Sequence, residues 1–159
     1  MSMQPSPKTG SNFTVVDLGN FSELDQFAFE IPTNSRKIEG KIFLKELLNL
    51  TSAEISVNKL PPGKSIPFYH KHRLNEETYI FLRGNGEFQI DDLVFPLSEG
   101  TVVRVAPDGE RCLRNIDSTE ELCWIVIQSR INSQPDQTIQ DGFAVEKRVS
   151  WVGKQSLNI

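Results

Sequence analysis

The chain has two histidines, His70 and His72, and they stand one residue apart in "FYHKHRLNEETYIFLRGNG" (68–86), with Glu76 and Glu77 close behind. In an extended strand, side chains two residues apart leave the same face, so both imidazoles point into one space. A strand is predicted over 65–72, then a four-residue turn "RLNE", then a strand beginning at Glu77. An antiparallel neighbour brings the Glu77 carboxylate across to the two rings. Two imidazoles and one carboxylate form a donor set that holds one divalent ion, be it iron, manganese, zinc or nickel, and leaves coordination positions open. An H-x-H pair alone is weak evidence of a metal site, because such pairs are more often surface or hydrogen-bonded residues. Its weight depends on the elements that position it.

Those elements read as strands. Short β-branched or aromatic runs fall at 13–18, 27–31, 41–44, 54–60, 65–72, 77–83, 86–90, 93–97, 101–105, 111–115 and 122–128, separated by turn signals such as "PPG", "GNG", "SEG" and "PDG". Close, even spacing of this kind specifies an all-β barrel or sandwich. "IFLKELLNL" also has spacing that suits a helical turn. The 159 residues are enough for one domain. The expected organisation is a flexible tail over 1–12, a β-barrel over 13–128, and a C-terminal extension over 129–159 that packs on the barrel or on a dimer partner. Within the extension, Phe143, Val145, Lys147, Val149 and Trp151 alternate as an added strand would, although a short amphipathic helix also fits.

Seventeen Lys and Arg against twenty-one Asp and Glu give a net charge of −4 without long runs of either sign. That surface has no basic footprint for nucleic acid or anionic lipid. The opening "MSMQPSPKTGSN" lacks the apolar middle of a secretory signal, so the expectation is a soluble, cytoplasmic protein. Cys112 and Cys123 match neither a disulfide framework nor a zinc pattern and read as small buried hydrophobes.

Gly63 precedes His70 by seven positions, and Gly84 follows Glu77 by seven. This frame resembles the first conserved motif of the cupin superfamily, and the gap to Gly84 selects Glu77, not Glu76, as the third ligand. "GTVVRVAPDGERCLRN" resembles the second motif through Gly100, Pro107, Gly109 and Asn115. The resemblance runs from about residue 54 to 128. It implies a jelly-roll double-stranded β-helix, one cupin barrel per chain, a homodimer, and a metal site of His70, His72 and Glu77. The family's second motif normally supplies a fourth ligand, a histidine. Here the loop is one residue short, and either Arg111 or Cys112 stands in its place, depending on where a bulge falls. The asparagine register favours Arg111, with Leu113 and Asn115 on the same face. Tyr79 and Phe81, in phase with Glu77, are candidates to line a substrate pocket beside Arg111.

Three functional readings follow. The first is a mononuclear metalloenzyme, such as an oxygenase or isomerase, acting on a small molecule in the barrel, with Arg111 clamping a ligand carboxylate. The second is a non-catalytic protein that binds or senses a small molecule in the same pocket. In the third the metal site is vestigial, and Arg111 pairs with Glu77 where an ion would sit.

Overall fold

The computed structural model describes residues 5–32, 35–135 and 138–159. It opens with a small hairpin of β1 (Lys8–Thr9) and β2 (Thr14–Val15), a 3-10 helix (Phe21–Gln26), and a second hairpin of β3 (Ala28–Glu30) and β4 (Lys37–Glu39). There follow β5 (Lys41–Phe43), α1 (Lys45–Leu48), β6 (Ala53–Leu60), β7 (Asn75–Arg83), β8 (Gly86–Ile90), β9 (Leu93–Leu97), β10 (Val102–Val105), β11 (Arg111–Asn115) and β12 (Leu122–Arg130). The helical alternative in "IFLKELLNL" is thus realised as one turn. Asn49 ends it in the left-handed conformation, donating its N–H to the Glu46 and Lys45 carbonyls.

The strands form a five-stranded antiparallel sheet, ordered β10-β7-β12-β6-β5, and a three-stranded sheet, β11-β8-β9. The all-β class expected from the sequence is present. Among the described residues no ladder joins the two sheets into a closed ring. They pack face to face, because alternate residues of each strand are apolar and must leave water together. On β7 the buried set is Glu77, Tyr79 and Phe81. Tyr79, Phe81, Leu122, Trp124 and Val126 from one sheet meet Phe88, Leu97 and Leu113 from the other in a single core. A second cluster, with Leu24, Phe27, Ile42, Leu44 and Val57, seats the 3-10 helix on the outer face of β5 and β6.

Two expectations need correction. Residues 65–72 are not a continuous strand. They run beside β11 with isolated bridges at Ser65↔Arg114 and His70↔Arg111, since Pro67 can donate nothing to a ladder. The strand bearing Glu77 begins earlier than expected, at Asn75, where it pairs with Arg130. Of the two glycines at the β7–β8 turn, Gly84 takes a positive φ of +86° and Gly86 does not. Gly86 is instead required by close packing, as a Cβ there would lie 2.6 Å from the Arg114 carbonyl oxygen.

At the termini, Lys8 and Thr9 pair with β2 instead of trailing free. The alternating stretch 143–151 has neither strand nor helix, and Phe143, Val145, Val149 and Trp151 are exposed. Among the described residues no helix is long and apolar enough to cross a membrane.

Gly63 and Gly84 both have positive φ, but a Cβ at Gly63 meets nothing within 4 Å whereas one at Gly84 lies 2.3 Å from the Glu121 carbonyl oxygen. Gly63→Ala is expected to cost about 1–2 kcal/mol, the backbone penalty alone. Gly84→Ala should cost clearly more, and urea denaturation of the two variants checks the difference.

Candidate functional site

Strand register places the polar side chains of the inner face in rows. Glu77 on β7 lies opposite Gln128 on β12; Tyr79 opposite Val126, which faces Ser56 on β6; and Phe81 opposite Trp124, which faces Asn58. The rows continue to β5, where Ser56 meets Phe43 and Asn58 meets Lys41. Residues as far apart in sequence as Lys41 and Gln128 therefore share one wall.

The histidines reach this wall from the segment beside β11. His70 Nε2 lies 3.4 Å from Glu77 Oε2, and His72 Nε2 lies 3.0 Å from Oε1. Ligand atoms of His70, His72 and Glu77 all fall within 4.8 Å of one another. His72 Nε2 is buried and has no hydrogen-bond partner despite its closeness to Oε1, so the two atoms face each other without N–H···O alignment. A buried imidazole nitrogen left unbonded beside a carboxylate oxygen and a second imidazole fits a shared cation. An ion with bonds of roughly 2.0–2.2 Å needs only a small contraction of this group.

Glu77 is buried, and burial by itself would raise its pKa. Hydrogen bonding from His70, Tyr79 and Arg111, together with the guanidinium charge, reverses that effect and holds the carboxyl well below its ordinary range. Arg111 gives Nε and Nη2 to Oε2 at 3.1 and 2.8 Å, and the Tyr79 hydroxyl donates to the same oxygen. Burial, and next the neighbouring carboxylate, push the Tyr79 phenol far up, so it stays a donor. Oxygen Oε1 is left facing His72.

Arg111 is the inward residue, 1 % exposed, with Leu113 and Asn115 buried on the same face. Cys112 points to the other side, its thiol donating to the Ile66 carbonyl at 3.0 Å. Arg111 Nη1 donates to the Gly109 carbonyl at 2.7 Å and weakly to that of His70 at 3.4 Å. The fork expected to clamp a ligand carboxylate is therefore committed to Glu77 and to the backbone. Phe81 likewise does not reach the pocket. It is 1 % exposed and stacks on Trp124, with ring centroids 6.1 Å apart. Tyr79 does line the cavity.

That cavity has a volume of about 330 Å³ and opens beside His70, His72 and Glu77. Its apolar wall includes Phe29, Ile31 and Ile38 from the β3–β4 hairpin as well as Phe68, Trp124 and Val126. Lys41 also lines it, and nothing in the sequence marks this residue: a lysine opening a short strand normally points to solvent. Its Nζ donates to Asn58 Oδ1 at 2.7 Å and to Ser56 Oγ at 3.4 Å, 4.7 Å from the Phe43 ring centroid. Burial lowers its pKa to about 8, the charges of Glu77 and Glu54 offsetting only part of the effect.

Two predictions follow. Arg111→Met leaves the buried Glu77 carboxylate without its guanidinium and is expected to cost about 3–5 kcal/mol. The double variant with Glu77→Gln should lose less than the sum of the singles, as a urea-denaturation cycle at pH 7 would read. Lys41→Met is expected to stabilise the fold at pH 7 by about 1–2 kcal/mol, because it removes a cation that burial disfavours. Wild-type stability should rise between pH 8 and 10.5, where the folded amine has lost its proton and the unfolded one has not, so the advantage of the variant narrows over that window.

Residues 56–128 match the family model described as Cupin domain. Among solved structures, a cupin protein from Bacteroides fragilis is 37 % identical, with 66 % of this chain and 88 % of that one covered and a TM-score of 0.62. A putative sugar phosphate isomerase from Acidithiobacillus ferrooxidans is 26 % identical, covering 58 % of this chain and 59 % of that one, with a TM-score of 0.50. A protein from Thermotoga maritima named as a predicted oxalate decarboxylase is 23 % identical over 70 % of this chain and 97 % of that one, with a TM-score of 0.55, and shows the shared fold. No curated protein matches the chain significantly. By sequence, fold and the arrangement of His70, His72 and Glu77, the chain belongs to the cupin superfamily.

Proposed function

We propose that the two facing sheets are the halves of a jelly-roll double-stranded β-helix, and that the cavity between them is a mononuclear metal site that receives a small molecule. The observation that carries this reading is the buried, unbonded His72 Nε2, converging with His70 and Glu77 on one point of the cavity wall. His70, His72 and Glu77 Oε1 would hold the ion, while Arg111 and Tyr79 fix the carboxylate through Oε2. A divalent ion held by three protein groups supplies Lewis-acid polarisation of whatever ligand takes its open positions. Three protein ligands do not select among iron, manganese, zinc and nickel. A small-molecule binding protein without turnover is the second reading, and it uses the same residues.

Elemental analysis of untreated protein, and calorimetry with Mn²⁺, Zn²⁺ and Ni²⁺, should give one ion per chain. His70→Ala and His72→Ala should abolish it and leave the fold intact. If wild type binds none of these ions while Arg111→Leu does, the guanidinium occupies the place of the metal, and the vestigial reading replaces this one.

We also infer a homodimer. Phe143, Trp151 and Val152 are 88–89 % exposed in the single chain, and apolar surface of that extent favours cover by a second copy. Light scattering at micromolar concentration should give twice the chain mass, and truncation after Arg130 should reduce it to one.

A further inference from the structure

Lys41 lies outside the segment that matches the family model, on the edge strand β5, yet its amine is brought to the same cavity as the histidines. Among the described residues it is the only cation on the cavity wall without a carboxylate partner. Lys59, the other, is spent on Asp25 at 2.7 Å, Glu121 at 2.9 Å and the Ser22 carbonyl. The cavity's two carboxylates are Glu77, which Arg111 neutralises, and Glu39, which is exposed. An ammonium group has three N–H donors. Asn58 and Ser56 take two, and the described residues offer no acceptor for the third. The Phe43 ring beneath the amine favours its charged form.

Burying that charge works against folding, and the Asn58 side chain across the strand pair holds the amine at the cavity wall. An ammonium with a donor to spare on a cavity wall is a ready partner for an anionic ligand. Between Lys41 and the triad, Trp124 and Val126 provide an apolar floor. Strands β5 and β7 are three spacings apart, roughly 14–15 Å at the backbone, so Lys41 and Glu77 enter the cavity from opposite sides of its wall, within reach of each other's charge. One ammonium with one free donor suits a carboxylate, which needs fewer donors than a phosphate.

We infer that Lys41 is the anion-binding residue of this cavity, holding the carboxylate of a small organic acid whose apolar body lies on Trp124 and Val126 and whose far end reaches His70, His72 and Glu77. The inference deepens the proposed reading of the cavity as a ligand site, and it moves the carboxylate contact from Arg111 to Lys41.

The probe is 3-phenylpropionate, with its uncharged amide as control, titrated by calorimetry and by tryptophan fluorescence, on a Trp151→Phe background so that Trp124 alone reports, in protein stripped of metal with a chelator. Wild type should bind the acid, and Lys41→Met should bind it about tenfold more weakly or worse, as expected for losing a charged hydrogen bond, with affinity for the amide unchanged. Since Lys41→Met is expected to be more stable than wild type, misfolding does not obscure the result. Mn²⁺ binding, measured in parallel, should be the same in both proteins. If the acid binds Lys41→Met as tightly as wild type, or does not bind wild type at all, the inference is overturned. If neither protein takes up Mn²⁺ but acid binding still depends on Lys41, the inference stands and the metal reading falls.

Discussion

A carboxylate buried between two sheets has to be compensated, and the arrangement around Glu77 follows from that requirement. Desolvation of the charge opposes folding, and the protein answers with a guanidinium and a phenol on one oxygen and two imidazoles close by. Arg111 can serve because its strand, β11, runs beside the histidine segment, the bridge to His70 fixing both backbones at once. The outcome is a carboxylate with one oxygen anchored and the other free to face His72.

This division of labour gives Arg111 a different meaning from that of a ligand clamp. A guanidinium cannot ligate metal, and beside a divalent ion it needs an anion between them. In the proposed site Glu77 would be that anion. With Glu77 paired to Arg111 and Lys59 paired to Asp25 and Glu121, Lys41 is the wall cation that lacks a carboxylate partner among the described residues, on a strand contributed by the chain ahead of the family's shared core.

The apolar framework sets how firmly these groups are held. Tyr79, Phe81 and Trp124 stack in that order beneath the site, so the face of β7 that bears the carboxylate belongs to the core itself. Side chains fixed this way keep their rotamers, whereas His70, on a segment with only scattered backbone bonds, remains over a third exposed.

The all-β class was legible in the two-residue period and turn signals of the strands, which act within a few positions. His70, His72 and Glu77 stood out as a group through their spacing in the cupin-like frame, whereas the inward residue of β11 stayed open between Arg111 and Cys112 until the strand was packed. The break at Pro67 and the early start of β7 were decided by pairing: what His70 and Asn75 bond to depends on β11 and β12, which lie far along the chain. Phe81 and Tyr79 share one face in any register, and only packing against Trp124 and Phe88 assigns one to the core and the other to the cavity. Lys41 was invisible for the same reason. Its position opposite Asn58 places it on the inner wall, and that wall exists only once β5, β6, β12 and β7 are hydrogen-bonded in an order the linear chain does not contain.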